Sequence, residues 1–305
     1  MKRLWITGAD GFVGQTFTRE ASHSQFTADA MLLTGLPAFD LRDTAAVRDA
    51  VALARPDWVI HLAAISFVPE AIADPETCFD VNFAGTHHLL RALQASGFSG
   101  RLLYVSSADV YGITAESQLP VTEINAIAPR NPYAVSKACA EIMCQQWART
   151  AAMDIVIARP FNHVGRGQRD DFVLTSAARQ IARIKAGLQT GDIQLGDTAV
   201  TRDFSDVRDV VRAYVALLDA GRTGEIYNVC SGVERSVDAV IARMLELSDV
   251  DVQVRQNAQH MRRSEQRRAV GSANKLRIDT GWYPQIPWDE TLREIIEDWQ
   301  VRINE

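Results

Sequence analysis

The sequence predicts an α/β protein built on a doubly wound parallel sheet. Short apolar runs alternate with longer amphipathic runs, and a glycine-rich turn follows the first apolar run. Strands buried on both faces of a parallel sheet have continuous apolar character, and the helices between them cover those faces. Ligands of such sheets bind at the carboxyl ends of the strands. We therefore expect the functional residues at those ends.

The runs define the predicted elements in order. Strands are predicted at residues 4–6, 31–33, 58–62, 102–105 and 155–158. Helical patterns lie between and after them, at about residues 12–22, 43–54, 78–96 and 132–150. After Pro160 the alternation weakens, and a further predicted helix at about 172–187 is followed later by a basic stretch at 255–268. This change indicates a smaller second unit.

The composition excludes several functional classes. With 47% hydrophobic and 23% charged residues, a chain of 305 residues can bury a substantial core. The net charge of -6 argues against a nucleic-acid surface, which needs a basic field to meet phosphates. The cysteines show no zinc spacing, and the apolar runs are too short to span a bilayer. We expect a cytoplasmic protein without metal, nucleic-acid partner or membrane association.

Three glycines in the first turn indicate a dinucleotide site. Gly8, Gly11 and Gly14 follow a predicted strand and open a predicted helix. Residues without side chains let backbone N–H groups and the helix N-terminus approach a pyrophosphate. Glycines also serve plain turns, so the evidence lies in the strand–turn–helix context. Phe12 and Val13 are further expected cofactor contacts in this turn.

The end of the second predicted strand favours NADP(H). NAD is usually recognised by a carboxylate about 20 residues after the glycines, but residues 33–36 contain no acid. Without a carboxylate there is no repulsion of a 2′-phosphate, so NADP(H) is favoured and NAD(H) is possible. Asp40 and Leu41 are placed to contact adenine. A turn or helix-capping role for Asp40 is equally open.

A tyrosine and a lysine on one helix face indicate carbonyl chemistry. Tyr133 and Lys137 are four residues apart in the predicted helix 132–150, so their side chains share a face. A free phenol has a pKa of about 10, which is high for proton exchange near neutrality. We expect the ammonium of Lys137 to lower the pKa of Tyr133 and to complete an acid/base pair for a carbonyl group.

A hydroxyl-bearing loop follows the fourth predicted strand. It contains Ser107 and Asp109 in the sequence Val-Ser-Ser-Ala-Asp. A serine-rich strand end is usually only a turn, but a serine hydroxyl can also donate a hydrogen bond to a substrate oxygen. Together with Tyr133 and Lys137, Ser107 completes a Ser, Tyr and Lys set.

Over nearly its whole length the sequence resembles the extended short-chain dehydrogenase/reductase superfamily. The supporting segments are His-Leu-Ala-Ala at 61–64, Val-Asn-Phe-Ala-Gly-Thr at 81–86 and Arg-Pro-Phe-Asn at 159–162. The resemblance implies that Ser107 orients the substrate oxygen, Tyr133 is the acid/base and Lys137 holds the nicotinamide ribose. Further implied cofactor contacts are Leu62, Ala63, Ala64 and Pro160.

The same resemblance implies a residue that supports the active-site helix and a homodimeric assembly. Asn82 would brace the active-site helix. A homodimer would form through the helices predicted around 78–96 and 132–150. An apolar helix stripe can equally pack on its own sheet, so the residues leave the dimer open.

Within the superfamily the chain is most similar to the branch that acts on GDP-sugars. This similarity rests on segments 161–168, 172–173, 201–204 and 261–268, with Arg166 where a proline is expected. It implies a GDP-linked keto-deoxy sugar as partner. Arginines can form a diphosphate site because guanidinium forks match phosphate oxygens, although a basic stretch can also be a solvated helix face. The implied substrate contacts are Ser107, Asp109, Asn162, Val173, Arg202, Arg262 and Glu265.

Reduction of a C4 ketone is the predicted reaction, and alternatives stay open. A dehydratase pattern in the same branch carries Thr and Glu where this chain has Ser107 and Asp109. Dehydration needs a further base and acid, and the shorter Asp109 side chain moves the carboxylate by more than about 1 Å. Reduction needs only Tyr133 with its two supporting residues. The alternatives are dehydration, reduction to the C4 epimer and cofactor binding without turnover.

The two predicted domains are interleaved. Residues 1–162 form the dinucleotide-binding domain, to which residues 203–231 return with further strand-like and helix-like runs. Residues 163–202 and 232–305 form a smaller, mostly C-terminal α/β domain that binds the nucleotide sugar, as the resemblance implies. The predicted architecture is therefore of Rossmann type with an added substrate domain.

Overall fold

The computed structural model describes residues 1–23, 30–257 and 266–304. Its strands are β1 (Lys2–Thr7), β2 (Ala30–Leu32), β3 (Trp58–His61), β4 (Arg101–Val105), β5 (Asp154–Pro160), β6 (Asn162–Val164), β7 (Ile193–Leu195), β8 (Thr201–Asp206), β9 (Ile226–Val229), β10 (Glu234–Ser236) and β11 (Val254–Gln256). Its α-helices are α1 (Phe12–His23), α2 (Thr44–Ala54), α3 (Val68–Ala73), α4 (Pro75–Phe79), α5 (Gly85–Ala95), α6 (Pro132–Thr150), α7 (Val173–Lys185), α8 (Val207–Ala220), α9 (Val237–Ser248), α10 (Asn274–Thr280) and α11 (Trp288–Arg302). A π-helical segment, Asp80–Ala84, joins α4 to α5, and short 3₁₀ turns occupy Ala108–Tyr111 and Glu116–Gln118.

A six-stranded sheet with the order β2-β1-β3-β4-β5-β9 forms the centre of the molecule. Every neighbouring pair in it is parallel. The chain moves outward in one direction from β1 to β2 and in the other from β3 to β9. Ligands of such sheets bind where the order reverses. The predicted α/β fold class, a doubly wound parallel sheet of Rossmann type, is confirmed.

Apolar side chains cover both faces of this sheet. On one face α1, α8 and α10 pack through a buried cluster that includes Phe17, Tyr214 and Leu276. On the other face α2, α5 and α6 pack through a cluster that includes Val47 and Leu89. Because the strands are covered on both sides, their side chains do not alternate between apolar and polar. This explains the continuous apolar runs in the sequence.

A smaller unit follows β5. It contains the three-stranded sheet β10-β8-β6 and the two-stranded sheet β11-β7. The helices α7, α9 and α11 pack around its own buried cluster, which includes Leu174, Phe204, Ile241 and Leu292. Among the described residues, no helix is both long enough and apolar enough to cross a bilayer.

The position of α10 differs from the predicted division into domains. Residues 232–305 were expected to belong to the second domain as one block. Leu276 and Trp282 instead belong to the buried cluster on the central sheet, and Trp282 Nε1 donates to the carbonyl oxygen of Asp209 in α8 at 3.0 Å. The apolar side chains of α10 thus find their partners beside β9, and the chain returns to the first unit a second time.

Local sequence determines where α6 begins. The side chain of Asn131 accepts a hydrogen bond from the backbone N–H of Ala134 at 2.8 Å, which caps the helix. Pro132 is the first helical residue, where a missing N–H costs nothing. Tyr133 therefore lies in the first turn of α6, and Lys137 lies one turn later on the same face.

A buried carboxylate joins loops of the two units. Asp203 in β8 is 0% exposed and accepts hydrogen bonds from the backbone N–H and hydroxyl of Ser231 at 2.9 and 2.6 Å. It also accepts from the backbone N–H groups of Gly232 at 3.0 Å and Gly271 at 3.2 Å. One side chain thus satisfies donors from two distant loops.

Asp203→Asn is expected to destabilise the protein by about 2–4 kcal/mol, because an amide cannot accept from all these donors and leaves buried N–H groups unpaired. Urea unfolding measures the loss. Asp251→Asn, which removes the same charge from an exposed residue, serves as the control and should change stability by less than about 0.5 kcal/mol. Equal stability of the two variants would contradict the role of Asp203.

Candidate active site

The glycine turn approaches its neighbours more closely than a side chain would allow. Gly8 has φ +72°, and a Cβ there would lie 2.8 Å from Cα of Ala63. A Cβ at Gly14 would lie 2.6 Å from the carbonyl oxygen of Gly8. The first turn of α1 contains no acidic residue. The turn therefore leaves a helix N-terminus open to an anion, which fits a dinucleotide pyrophosphate.

A cavity of about 700 Å³ runs from the glycine turn to the ends of β4 and β5. An adjoining recess contains Asp40 and Leu41 and shares Ala63 and Val81 with the cavity. The structure thus brings every predicted cofactor-binding residue to these two adjoining spaces. Those in the cavity are Gly8, Gly11, Phe12, Val13, Gly14, Leu62, Ala63, Ala64, Tyr133, Lys137 and Pro160.

Asp40 stabilises a local turn and also lines the recess. It accepts hydrogen bonds from the backbone N–H of Arg42 at 2.9 Å and from its guanidinium at 2.6 Å. The side-chain hydrogen bond from Arg42 lowers the pKa of Asp40. Asp43, rather than Asp40, caps α2, because its side chain accepts from the N–H groups of Ala45 and Ala46. The capping alternative for Asp40 is therefore wrong.

Ser107, Tyr133 and Lys137 meet beside the end of β4. Tyr133 is 9% exposed and Lys137 is 4% exposed. The side chain of Ser107 acts to lower the pKa of Tyr133, and Ser107 Oγ accepts from the N–H of Asp109 at 3.1 Å. The Nζ atom of Lys137 donates to the carbonyl oxygen of Val105 at 2.7 Å. The predicted set is therefore assembled around a single point of the cavity wall.

Burial dominates the protonation of Tyr133. It raises the pKa of this phenol above the ordinary value, the carboxylate of Asp109 raises it further, and the hydrogen bond with Ser107 lowers it. The expectation that Lys137 lowers the pKa of Tyr133 below its ordinary value is wrong, because desolvation of the phenolate outweighs other effects. Burial also lowers the pKa of Lys137 to about 8. Near neutrality the phenol is protonated and the lysine is mostly charged.

Asp109 and Arg202 act on each other across the two units. Asp109 lines the cavity and has an exposed surface there, while desolvation by the surrounding walls raises the pKa of its carboxyl group. The guanidinium of Arg202 opposes this rise. Burial lowers the pKa of Arg202, and the charge of Asp109 opposes that shift in turn. The carboxylate on the first unit therefore has its cationic counterpart on the second.

Asn82 contacts both the loop after β3 and the catalytic helix. Its Nδ2 atom donates to the carbonyl oxygen of Ile65 at 3.0 Å and to Ser136 Oγ at 2.9 Å, and its Oδ1 atom accepts from the N–H of Ile65 at 2.8 Å. Ser136 Oγ donates to the carbonyl oxygen of Tyr133 at 2.8 Å. The side chain of Asn82 thus links the cavity loop to the first turn of α6.

A buried neutral histidine extends this link to β1. His61 Nδ1 lies 2.7 Å from Thr7 Oγ1 and Nε2 lies 3.0 Å from Thr86 Oγ1. The hydroxyl of Thr86 donates to the carbonyl oxygen of Asn82 at 2.6 Å, so Nε2 of His61 must donate to Thr86. Burial lowers the pKa of His61 to about 3, which keeps the ring neutral. The chain of hydrogen bonds connects two central strands to the segment that carries Asn82.

The predicted substrate contacts fall into three groups. Those that line the cavity are Ser107, Asp109 and Asn162. Val173 begins α7 next to Phe172, which lines the cavity, but Val173 itself does not line it. The charge of Arg202 interacts with that of Asp109 in the cavity wall. Those that lie outside the described residues are Arg262 and Glu265.

The sequence analysis did not assign several cavity residues. Phe67 and Phe172 meet edge to face with ring centroids 6.2 Å apart, and the guanidinium of Arg169 lies 5.6 Å from the ring of Phe67. Three residues that line the cavity also carry buried polar atoms without a protein partner in the described parts of the chain. These atoms are Ser106 Oγ, Gln168 Oε1 and the hydroxyl of Tyr214.

The fold and the site define a short-chain dehydrogenase/reductase of the extended type, with a glycine turn for a dinucleotide and a Ser, Tyr and Lys set beside it. Within this class the chain belongs to the family described as GDP-mannose 4,6 dehydratase, whose model matches residues 32–295. The predicted superfamily and its GDP-sugar branch are confirmed.

Two relatives illustrate the range of this similarity. The chain is 46% identical over 306 residues to the GDP-6-deoxy-D-mannose reductase of Pseudomonas aeruginosa, and the alignment covers 100% of this chain and 99% of the relative. It is 28% identical over 278 residues to the GDP-6-deoxy-D-talose 4-dehydrogenase of Aggregatibacter actinomycetemcomitans, with 90% of each chain covered.

Solved structures of related proteins show the same similarity in fold. The structure of RMD from Pseudomonas aeruginosa complexed with NADPH has a TM-score of 0.94 and 45% identity, and the match covers 99% of this chain and 100% of that one. DesIV, a dTDP-glucose 4,6-dehydratase from Streptomyces venezuelae with NAD and TYD bound, has a TM-score of 0.84 and 25% identity over 99% of this chain and 98% of its own.

Gly14→Ala is expected to weaken NADPH binding at least about tenfold, because the added methyl group would collide with the backbone of the glycine turn. Titration of the cofactor by fluorescence measures the affinity. Gly97→Ala provides a control, since Gly97 has φ +73° but nothing within 4 Å of an added Cβ. It should lose about 1 kcal/mol of stability through backbone strain while keeping cofactor affinity. Equal NADPH affinities in the two variants would contradict the claim that the backbone at Gly14 is too close to its neighbours for a side chain.

Proposed function

We propose that the chain reduces the C4 ketone of GDP-4-keto-6-deoxy-D-mannose with NADPH and so forms GDP-D-rhamnose. The observation that carries the proposal is the presence of Ser107, Tyr133 and Lys137 together in the lining of the cavity that begins at the glycine turn. The relative from Pseudomonas aeruginosa, 46% identical over the full chain, is a GDP-6-deoxy-D-mannose reductase and supports this substrate.

The residues around the cavity would hold the cofactor, which supplies a hydride. The glycine turn receives the pyrophosphate, the recess at Asp40 and Leu41 receives the adenine, and Lys137 binds the nicotinamide ribose. The segment 33–36 has no acid to repel a 2′-phosphate, which favours NADPH over NADH. The structure of RMD from Pseudomonas aeruginosa contains NADPH, in agreement with this preference.

Tyr133 donates the proton that the reduced ketone needs. Burial keeps its phenol protonated near neutrality, which is the form that an acid requires. Ser107 and Tyr133 together present hydroxyl groups to the C4 oxygen and stabilise the negative charge that develops on it. The ammonium of Lys137, one helical turn away, favours the phenolate that remains after transfer.

Asp109 binds a sugar hydroxyl rather than acting as a catalytic base. It lines the cavity and has Arg202 as its cationic counterpart, so its charge is balanced from the second unit. The second unit, which contains β6, α7, β7, β8 and most of residues 232–305, holds the nucleotide part of the substrate. Arg202 and Arg262 bind its diphosphate, and Val173 and Glu265 complete the contacts.

We also infer that the protein is a cytoplasmic homodimer. All four cysteines are free thiols, as in proteins of a reducing compartment. The side chains of Phe83 and Ile142, on the π-helical segment and on α6, are 36% and 56% exposed, and a symmetric partner would cover them.

The function is tested with the purified protein, GDP-4-keto-6-deoxy-D-mannose and either NADPH or NADH. We expect the loss of cofactor absorbance to match product formation, faster with NADPH, and NMR to identify GDP-D-rhamnose. GDP-mannose without the keto sugar should not react. Formation of the 6-deoxytalose epimer would refute the stereochemistry, and conversion of GDP-mannose to the keto sugar would show a dehydratase instead.

Tyr133→Phe should lower kcat by about 10²–10⁴-fold, because it removes the proton donor and keeps the ring. NADPH affinity should stay within about twofold, since the aromatic ring of residue 133 remains beside the cofactor and Lys137 still binds the ribose. Steady-state kinetics and a binding titration separate the two effects. Tyr283→Phe, at a tyrosine that is 56% exposed, is the control and should leave both values unchanged. Full activity of Tyr133→Phe would remove this residue from the mechanism.

A further inference from the structure

A buried ion pair joins the catalytic helix to the central sheet. Arg159 in β5 donates through Nε to Oε2 of Glu141 at 3.0 Å and through Nη2 to Oε1 at 2.5 Å. The two side chains are 4% and 2% exposed. Glu141 lies in α6, one helical turn after Lys137 and two after Tyr133. The pair is therefore formed by the same face of α6 that carries the two catalytic side chains.

The cation of this pair lies over the ring of Tyr111. The guanidinium carbon of Arg159 is 4.6 Å from the ring centroid, a distance at which the face of an aromatic ring attracts a cation. Tyr111 is 3% exposed, and its hydroxyl donates to Oδ1 of Asn228 in β9 at 2.7 Å. Nδ2 of Asn228 donates to the carbonyl oxygen of Val121 at 3.0 Å. Tyr111 is thus held at its ring face and at its hydroxyl.

Tyr111 ends the short 3₁₀ turn that begins after Ser107 and contains Asp109. Three backbone N–H groups close this turn. The N–H of Asp109 donates to Ser107 Oγ at 3.1 Å, that of Val110 to the carbonyl oxygen of Ser107 at 3.3 Å, and that of Gly112 to the carbonyl oxygen of Asp109 at 3.1 Å. Ser107 and Asp109 both line the cavity. A shift of Tyr111 would therefore displace two residues of the cavity wall.

The ion pair does more than fill the space between β5 and α6. Desolvation of two charges offsets most of their attraction, and apolar side chains of similar volume often give equal stability at such a place. Apolar side chains lack direction, however. The two parallel N–H···O bonds from Arg159 to Glu141 fix the plane of the guanidinium, and with it the place that the ring of Tyr111 can take.

We propose that Arg159 and Glu141 are positioning residues for the reaction. They hold Tyr111 against α6, and the 3₁₀ turn follows, so that Ser107 keeps its place beside Tyr133. This role is distinct from that of the lysine–carbonyl bond, which ties α6 to the end of β4 and not to the turn beyond it. Only the kinetic consequence rests on the proposed function, because the order of the turn can be measured without any substrate.

The test uses the double variant Arg159→Met/Glu141→Met, which keeps a similar volume and leaves neither charge unpaired. Without cofactor or sugar, hydrogen exchange at the backbone N–H groups of residues 109–112 should be at least about tenfold faster than in the unchanged protein. The urea midpoint should stay close to that of the unchanged protein. In kinetics, kcat for the keto sugar should fall at least about tenfold, while NADPH affinity stays within about twofold.

A matched control removes the ion pair at the other end of the same two strands. Arg101 begins β4 and Asp154 begins β5, and their side chains pair at 2.8 Å. The double variant Arg101→Met/Asp154→Leu should leave both kcat and the exchange of residues 109–112 unchanged.

Tyr111→Leu removes the ring from the guanidinium and tests the same link. It should accelerate exchange of residues 109–112 as much as the Arg159→Met/Glu141→Met variant does, and the combination of all three substitutions should add nothing further. A general loss of stability would give additive effects instead. This variant also decides the question if the double variant does not fold.

Unchanged exchange or unchanged kcat in the folded Arg159→Met/Glu141→Met variant, or additive effects of Tyr111→Leu, would overturn the positioning role and leave the proposed function standing. If the unchanged protein failed to reduce the keto sugar, the proposed function would be wrong, and the exchange measurements would still decide whether the ion pair orders the turn.

Discussion

One hydrogen bond, from the buried ammonium of Lys137 to the carbonyl oxygen of Val105, ties the catalytic helix to the central sheet. A charge that is 4% exposed is tolerated only with such a partner, since desolvation of an unpaired ammonium is costly. The bond places the end of β4 directly beneath one face of α6. Ser107, two residues beyond Val105, and Tyr133, one turn before Lys137, are brought together as a consequence.

A chain of neutral hydrogen bonds runs beside this bond. His61 is held neutral by burial, and its hydrogen bonds with Thr7 and Thr86 continue to Asn82 and from there to Ser136 on α6. Every link in this chain is a short neutral contact, so the chain connects the strands and the helix without a buried charge of its own. Burial also keeps the phenol of Tyr133 protonated, which suits an acid in carbonyl reduction.

Contacts between distant segments hold several loops in place. The loop at 165–168 is held by Asp298 of α11, and the loops at 231–232 and 271 are held by Asp203 of β8. Each carboxylate accepts from backbone N–H groups, which carry no sequence signature. The side chain of Asp203 links β8 of the second unit to the loop that follows β9 of the first. Helix α10 packs on the central sheet although the chain has already left it.

The sequence by itself determined the parallel sheet, the glycine turn and the identity of the Ser107, Tyr133 and Lys137 set, because these depend on local patterns: continuous apolar runs, residues without side chains and a spacing of one helical turn. Tertiary structure alone decided the raised pKa of Tyr133, the place of α10 and the unpaired oxygen of Gln168. Desolvation and hydrogen-bond satisfaction depend on what surrounds an atom in three dimensions, and segments far apart in the chain supply those surroundings.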